Sequence, residues 1–302
     1  MGTRPDAAID AFLANGGEER VVVRIEDEGR WSEGLEGLAG ERVGQVVLSP
    51  QPSGGGGMGA DVLATAARWC RAQGALLVAE VPAVVRNVED AIAFGEALAE
   101  SAGDASADVA LYFPLLEGGS TAGAVAGVIA RTSPWVAPAG RETTLVAERG
   151  LAVELGERDV RALEVTGVNA LRTLQDHVRV WGGRTLSSDP EWKYVSLRRC
   201  VAFLERSIEQ GTQWAVFEPN DEPLWRAIRT AISDFLFNQW SGGALLGATP
   251  DEAYFVRCDH TTMTAADVAA GRLVVVVGVA PVKPAEFVVI TLQRLVLPWP
   301  PP

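Results

Sequence analysis

Two kinds of segment alternate along the first part of the chain. Short runs of β-branched and aliphatic residues predict buried strands, and the segments between them have the periodicity of helices. The predicted strands are Val21–Ile25, Val46–Leu48, Ala75–Val81 and Val109–Phe113, and the predicted helices are Ala7–Leu13, Asp61–Gln73 and Val88–Ser101. This alternation is typical of α/β proteins, in which helices cover a parallel or mixed sheet.

The second half of the chain begins with two amphipathic helices and continues in shorter elements. Trp192–Gln210 carries its apolar residues on one helical face, and a second apolar stripe follows from Leu224 to Leu236. Between them, Gln213–Glu218 alternates as a strand does. The later patterns predict a capping box at Thr249–Glu252, strands at Tyr254–Cys258, Arg272–Ala280 and Phe287–Leu292, and a helix at Thr264–Ala270. This half is therefore expected to be α+β.

The stretch WAVFEPNDEPLW, residues 214–225, lies between the two long helices and contains several acids. It could be a cluster of catalytic carboxylates or a turn between a strand and a helix. Each proline disfavours helix in the residue before it, and Asn220 and Asp221 are good N-cap residues for the helix that follows. Because a turn explains all these residues, we favour the turn over a carboxylate site.

Charge is unevenly distributed along the 302 residues, whose formal net charge is −13. Residues 181–302 are nearly neutral, with 11 Lys+Arg against 13 Asp+Glu, while residues 1–180 have 15 against 26. Such an acidic protein repels phosphate backbones, so we expect no nucleic-acid partner. No apolar run is long enough for a membrane span, so we expect no membrane insertion.

The inventory of reactive residues predicts no catalytic, cofactor-binding or metal-binding site. The only histidines are His177 and His260, and no GxSxG motif accompanies them. The glycine run at 54–57 has no nearby lysine of the kind a phosphate-binding loop requires. Cys70, Cys200 and Cys258 are far apart and are expected to be reduced, buried thiols.

Longer motifs resemble a known family. WGGRTLSSDPEWKYVSLRR, GTQWAVFEPNDEPLW, GALLGATPDEAYFVRCD and AGRLVVVVGVAPVKPAEFVVITL, in this order, resemble the C-terminal domain of contractile tail sheath proteins of myophages, R-type tailocins and extracellular contractile injection systems. Upstream, ALYFPLL, AGVIART, VAPAG and GVNALRTL resemble the subtilisin-like middle domain of sheaths, and AIDAFLANGGEERVVVRI resembles its start.

The resemblance implies two domains: a subtilisin-like sheath domain at 1–180 and the sheath C-terminal domain at 181–302, with a terminal strand arm and a proline-rich tail. It implies a structural subunit, without enzymatic activity, of stacked hexameric rings that surround an inner tube and contract to drive it into a target cell. The partners would be other sheath subunits, the tube protein and baseplate or cap proteins. The particle, a phage tail or a tail-like one, would assemble in the bacterial cytoplasm. A hydrolase on the subtilisin-like fold is the alternative, but no histidine precedes His177 to serve an Asp–His–Ser triad.

The resemblance also implies which residues contact other chains. Terminal strands of sheath subunits complete sheets in neighbours. The candidate strand here comprises Phe287, Val288, Val289, Ile290, Thr291 and Leu292. Candidates for contact with acidic groups of the tube or of neighbours are Arg198, Arg199, Arg226 and Arg229.

Relative to typical sheaths, the sequence is shortened at the N-terminus, where the family has a further segment with the N-terminal arm. Three expectations follow from this difference. The chain is a specialised paralogue in a terminal layer near the baseplate or cap, or a companion sheath protein supplies the strand, or the sheath has fewer cross-links. We favour the paralogue among these three.

Overall fold

Five strands form the main sheet of the computed structural model, which describes residues 7–23, 30–49, 58–147 and 149–284. They lie side by side in chain order: β1 (Gln45–Val46), β2 (Leu76–Glu80), β3 (Val109–Phe113), β4 (Asn169–Leu174) and β5 (His177–Val180). The first four are parallel, and β5 returns antiparallel to β4. The fold class predicted from the sequence, a mixed sheet covered by helices, is confirmed.

Helices connect the parallel strands because such strands cannot be joined by a tight turn. The helices of this part are α1 (Ala7–Ala14), α2 (Trp31–Glu36), α3 (Ala60–Gln73), α4 (Val88–Ala102), α5 (Thr121–Arg131) and α6 (Glu157–Thr166). Helix α3 follows β1, α4 follows β2, and α5 and α6 both lie between β3 and β4 along the chain. The predictions for α1, α3 and α4 are confirmed to within one residue at each end.

The central strands are buried on both faces, which explains their uniformly apolar sequences. Neighbouring residues of a strand point to opposite faces. Leu77 and Leu111 therefore join a core with α3 and α4 on one side. Val78 and Tyr112 join a second core, with α1 and α5, on the other.

Helices α1 and α5 approach each other closely because two glycines of α5 face α1. A Cβ atom on Gly123 would lie 2.4 Å from the carbonyl oxygen of Ala8, and one on Gly127 would lie 2.4 Å from that of Phe12. Real Cβ atoms do not approach oxygen so closely, so only glycine permits this packing.

The C-terminal part has its own core and a small sheet. Its elements are α7 (Val195–Gly211), α8 (Glu222–Ser241), α9 (Pro250–Ala253), β6 (Tyr254–Arg257), α10 (Ala265–Ala269) and β7 (Val276–Val279). Ile228, Ile232 and Leu236 of α8 pack against Leu204 of α7 and Cys258 after β6. Strands β6 and β7 pair antiparallel and form a two-stranded sheet among the described residues.

Two predicted strands are wrong where the structure describes them. Residues 21–23 of Val21–Ile25 join no sheet, and their valine side chains are exposed. The predicted strand Gln213–Glu218 is instead a 3-10 turn at Gln213–Ala215 followed by a bend. In both places β-branched or aromatic residues suit a strand, but strand formation also requires a partner, and none of the described residues provides one.

Two further predictions near the small sheet need correction. The capping box at Thr249 does not form, since Glu252 accepts from the backbone N–H of Ala248 at 2.7 Å and the Thr249 side chain makes no cap. The predicted strand Arg272–Ala280 is regular only over β7. In contrast, Thr264 and Asp267 form a capping box at the start of α10. Within the described residues, no helix is long and apolar enough to cross a membrane.

Candidate assembly interface

Helix α7 is attached to the main sheet by an ion pair between Arg198 and Asp108. Asp108 ends the 3-10 turn before β3 and is fully buried, and its Oδ1 accepts from the Nε of Arg198 at 2.5 Å. The guanidinium of Arg71 lies 3.6 Å from the other carboxylate oxygen. Burial raises the pKa of Asp108, while Arg198 and Arg71 act in the opposite direction. Arg198 therefore serves a contact within the chain.

Two other arginines of α7 hold backbone carbonyls of the sheet domain. Arg199 donates to the carbonyls of Ile129 and Thr132 at 2.7 and 2.8 Å, where α5 ends. Arg206 donates to the carbonyl of Val43 at 3.0 Å, just before β1. Together with Arg198, they fix α7 at three points across the end of the sheet where the parallel strands begin.

The arginines of α8 differ from each other in their surroundings. Arg229 is partly buried and donates to the carbonyl of Cys258. Arg226 is exposed, and no hydrogen bond or ion pair engages its side chain among the described residues. Of the four predicted contact residues, Arg226 alone presents a guanidinium that the described chain does not use. Contact of all four with other chains stays a prediction.

The acidic stretch before α8 is a helix start, as favoured from the sequence. Asp221 accepts from the N–H of Leu224 at 3.1 Å and caps the helix. The Oδ1 of Asn220 accepts from the indole N–H of Trp225 at 2.7 Å. Glu222 points to the surface, where its Oε1 lies 3.3 Å from Nε2 of His260. The carboxylates therefore have separate roles and do not converge.

The same stretch exposes a hydrophobic patch, formed by Trp214, Val216 and Phe217. The Phe217 side chain is fully exposed, and its backbone has φ 75°, in the left-handed region that aromatic residues rarely adopt. Val216 is 61% exposed and Trp214 48%. A contiguous exposed apolar group next to strained backbone is typical of an interaction surface.

The small sheet leaves both outer edges without a strand partner among the described residues. On its exposed face, the ring of Phe255 lies over Gly278, where a Cβ would be 2.1 Å from the ring. A two-stranded sheet is marginal by itself and is commonly stabilised by further strands. The predicted exchange strand Phe287–Leu292 lies outside the described residues, so its pairing stays a prediction.

The reactive side chains show no convergent chemistry in the described part of the chain. Cys70, Cys200 and Cys258 are free and buried, as predicted, and burial raises the pKa of Cys200 to about 11. His177 lies exposed on β5, and its side chain makes no hydrogen bond or ion pair with the described residues. Among the described residues, no group of His, Cys, Asp and Glu could hold a metal ion.

Two acids with structural roles were missed in the sequence, Asp108 and Glu80. Glu80 ends β2, and its carboxylate accepts from the N–H of Ala122 at 2.7 Å and lies 3.3 Å from the hydroxyl of Ser120. It thereby binds the N-terminus of α5, and burial raises its pKa. In both cases the sequence has an acid directly beside a predicted buried strand, and this position could have indicated a buried acid.

Comparison with known proteins shows similarity to contractile tail sheath proteins. The model of the phage tail sheath C-terminal domain matches residues 187–294. A putative prophage major tail sheath protein of Pseudomonas aeruginosa (strain UCBPP-PA14) is 26% identical over 155 residues. A chain in the cryo-EM structure of the anti-feeding prophage baseplate is 28% identical, with a TM-score of 0.76, over 97% of this chain and 81% of that one. The chain therefore resembles contractile tail sheath proteins over nearly its whole length, and residues 187–294 match their C-terminal domain.

A second solved structure shows the same similarity for a chain of a helical sheath. A chain of the helical sheath of the anti-feeding prophage, in its contracted state, is also 28% identical, with a TM-score of 0.76. The alignment covers 97% of this chain and 83% of that sheath chain. The aligned part spans only 39% of the Pseudomonas tail sheath protein. The three arginine contacts of α7 and the open-edged small sheet thus belong to a chain that resembles sheath proteins.

Proposed function

We propose that the chain is a structural subunit of a contractile sheath. Copies would stack as hexameric rings around an inner tube and contract to drive the tube into a target cell. The observation that carries this proposal is the likeness to the helical sheath of the anti-feeding prophage over 97% of the chain. Movement would come from two alternative packings of the subunit surfaces, so no nucleotide is required.

The partners and location follow from this role. The chain would contact other sheath subunits, an inner tube protein and baseplate or cap proteins, with no nucleic-acid partner and no membrane insertion. Assembly would take place in the bacterial cytoplasm, and the product would be a phage tail or tail-like particle. We place the subtilisin-like domain at 1–180 and the C-terminal domain at 181–302, which the family match at 187–294 supports.

Strand exchange through the small sheet would connect neighbouring subunits. β6 and β7 have unpaired outer edges among the described residues, and their sheet is small. Phe287–Leu292 of another copy has the composition of a strand that could add to such an edge. Main-chain hydrogen bonds of an added strand would keep subunits joined while their other contacts change.

The basic side chains of the C-terminal part would contact the tube or neighbouring subunits. Arg226 is the best placed of the four candidates, because its guanidinium is exposed and unengaged in the described chain. Arg198, Arg199 and Arg229 would contribute mainly by holding α7 and α8 in place. Residues 1–180 would form the outward, acidic surface.

We propose no enzymatic activity for the chain. The support is that the relatives are sheath proteins and that the acids of the WAVFEPNDEPLW stretch have structural partners. We expect peptide and ester substrates to be hydrolysed no faster with the purified protein than in buffer alone. Turnover that is lost on removal of a single side chain would contradict this.

A terminal-layer paralogue is the second candidate. The observation that favours it is the anti-feeding prophage baseplate chain, which resembles this chain as well as the helical sheath chain does. Such a subunit would form one layer at the baseplate or cap and would not polymerise alone.

Negative-stain microscopy separates the two candidates. The protein is expressed alone and together with a longer sheath protein and the tube protein of the same particle. Striated tubes from the protein alone support a self-sufficient main sheath. Incorporation at tube ends, only in the presence of the longer protein, supports the terminal layer. Absence from every assembly in both conditions contradicts both.

A proline variant tests strand exchange separately. Val289→Pro removes a main-chain donor from the proposed strand, whereas Val289→Thr keeps the donor and the β-branched shape. We expect the proline variant to fold but not to enter tubes, and the threonine variant to assemble as the unchanged protein does. Equal assembly of the two would refute the role of this strand.

A further inference from the structure

Helix α7 and the end of the main sheet where β1 and β2 begin border a cavity of about 170 Å³ that is open to solvent on one side. Three arginines of α7, Arg198, Arg199 and Arg206, line it together with Gln45 at the start of β1. The cavity lies at the junction between the two parts of the chain, away from the small sheet and from the exposed patch at Phe217.

Positive charge around this cavity exceeds the negative charge that the described chain supplies. Asp108 pairs with Arg198, but no carboxylate lies within ion-pair distance of Arg199 or Arg206 among the described residues. Their guanidinium groups bind only backbone carbonyls there. Burial lowers the pKa of Arg199 to about 10, and burial and then the nearby Arg198 lower that of Arg206. A partly buried cation without a counter-ion is unfavourable, so an anion would be stabilised here.

Beside the cavity, the lining residue Gln45 has an acceptor that lacks a donor. The Oε1 of Gln45 is buried and has no hydrogen-bond partner in the described chain, while its Nε2 donates to the carbonyl of Ala126 at 2.9 Å. An unpaired buried acceptor is unfavourable. A ligand that fits the site would therefore combine negative oxygens for the arginines with one hydroxyl, toward which the buried carboxamide of Gln45 would have to turn.

We propose that this cavity binds a small oxyanion, with hydrogen phosphate as the best-fitting form. Guanidinium groups bind oxyanions through charge-assisted hydrogen bonds, and hydrogen phosphate has both negative oxygens and a P–OH donor. An engineered cavity of about 150 Å³ accommodates benzene, and phosphate is no larger than benzene. The bound anion would neutralise the arginines and strengthen the attachment of α7 to the sheet. This site belongs to the single folded chain and does not depend on assembly.

Thermal unfolding of the full chain tests the proposal. Because a ligand that binds only the folded state raises its stability, phosphate is expected to raise Tm by about 2–4 °C beyond chloride at equal ionic strength. In Arg206→Gln the rise should fall to that of chloride. Arg226→Gln, which removes an exposed arginine outside the cavity, should keep the full rise. Equal Tm in phosphate and chloride, or an undiminished rise in Arg206→Gln, would overturn the proposal.

A second pair of measurements addresses the hydroxyl donor and does not depend on the folding of the arginine variant. Sulfate has no hydroxyl at neutral pH, so it should raise Tm less than phosphate does. In Gln45→Met, which removes the unpaired acceptor, phosphate and sulfate should become equivalent. A sulfate effect equal to that of phosphate in the unchanged protein would overturn the assignment of hydrogen phosphate.

Discussion

Arg198 of α7 donates to the buried carboxylate of Asp108 over 2.5 Å, across 90 positions of sequence. This pair joins the helix that opens the C-terminal part to the turn that precedes the central strand β3. Breaking a buried ion pair by removal of one partner leaves an uncompensated charge. In the proposed sheath role, we expect this contact to hold the two parts of the chain together while contacts between subunits change.

Asp108→Ala is expected to lower the free energy of unfolding by about 3–5 kcal/mol, because Arg198 would remain buried without its partner. Urea denaturation measures the change. Asp104→Asn, at an exposed position of the same turn, is the matched control and should be neutral. An Asp108→Ala protein as stable as the control would show that the pair contributes no net stability.

Gly127→Ala tests the packing of α1 on α5. The new methyl group would meet the carbonyl oxygen of Phe12 at 2.4 Å, so α1 must shift. Overpacking is expected to lower the free energy of unfolding by about 1–3 kcal/mol. This loss outweighs the gain of at most about 1 kcal/mol from the higher helix propensity of alanine.

Chemical denaturation of Gly211→Ala provides the comparison, since a Cβ at this helical position meets nothing within 4 Å. This variant should be unchanged or slightly more stable. If Gly127→Ala were stabilised to the same extent, the close approach of α1 and α5 would be wrong.

Glu80 predicts how stability depends on pH. Burial raises the pKa of Glu80 in the folded state. The stability that protonated Glu80 contributes to the fold is therefore fully present below the unfolded pKa of about 4.3, and it is lost as pH rises through the folded pKa. Glu80→Gln removes this titration but keeps an acceptor for the N–H of Ala122.

The Tm of Glu80→Gln relative to the unchanged protein should therefore be highest at neutral pH and should fall as pH is lowered toward 4.3. Glu117→Gln, at an exposed position, should show no such trend. A difference that is constant with pH would contradict the raised pKa.

Substitution of Phe217 is expected to have opposite effects on the stability of the fold and on assembly. Phe217→Asn places a residue that tolerates the left-handed region at φ 75°, and it should stabilise the fold by about 1 kcal/mol. The same change removes the most exposed apolar side chain of the patch and should reduce incorporation into sheath particles.

Val165→Asn is the control for surface hydrophobicity, because Val165 is 83% exposed on α6. Its effect on incorporation, counted by microscopy, should be small. Loss of assembly in both variants would show a general effect of apolar surface rather than a contact at Phe217.

Local sequence patterns predicted most of the fold. Val109–Phe113 matches β3, and helical periodicity placed α1, α3 and α4. Each of these signals acts within a few residues, where periodicity and capping chemistry dominate. The strand predicted at residues 213–218 was wrong, because a local pattern cannot show whether another strand lies beside it.

The partners of the arginines could not be predicted from the sequence. Periodicity placed Arg198 and Arg199 off the apolar face of α7, and the family resemblance suggested that they contact other chains, which stays a prediction. The structure shows contacts within the chain, to Asp108 and to the end of α5, about 70 to 90 positions away. Such contacts depend on how two separately predicted parts of the chain pack together, and one helix contains no information about this.

The most direct test of the central claim is a helical reconstruction by cryo-EM of tubes that contain this chain. We predict that the β6–β7 sheet gains at least one strand from another copy and that this strand contains Phe287–Leu292. A map in which the sheet remains two-stranded in every copy would contradict strand exchange as the connection between subunits. Failure of the chain to enter any tube would contradict the sheath role itself.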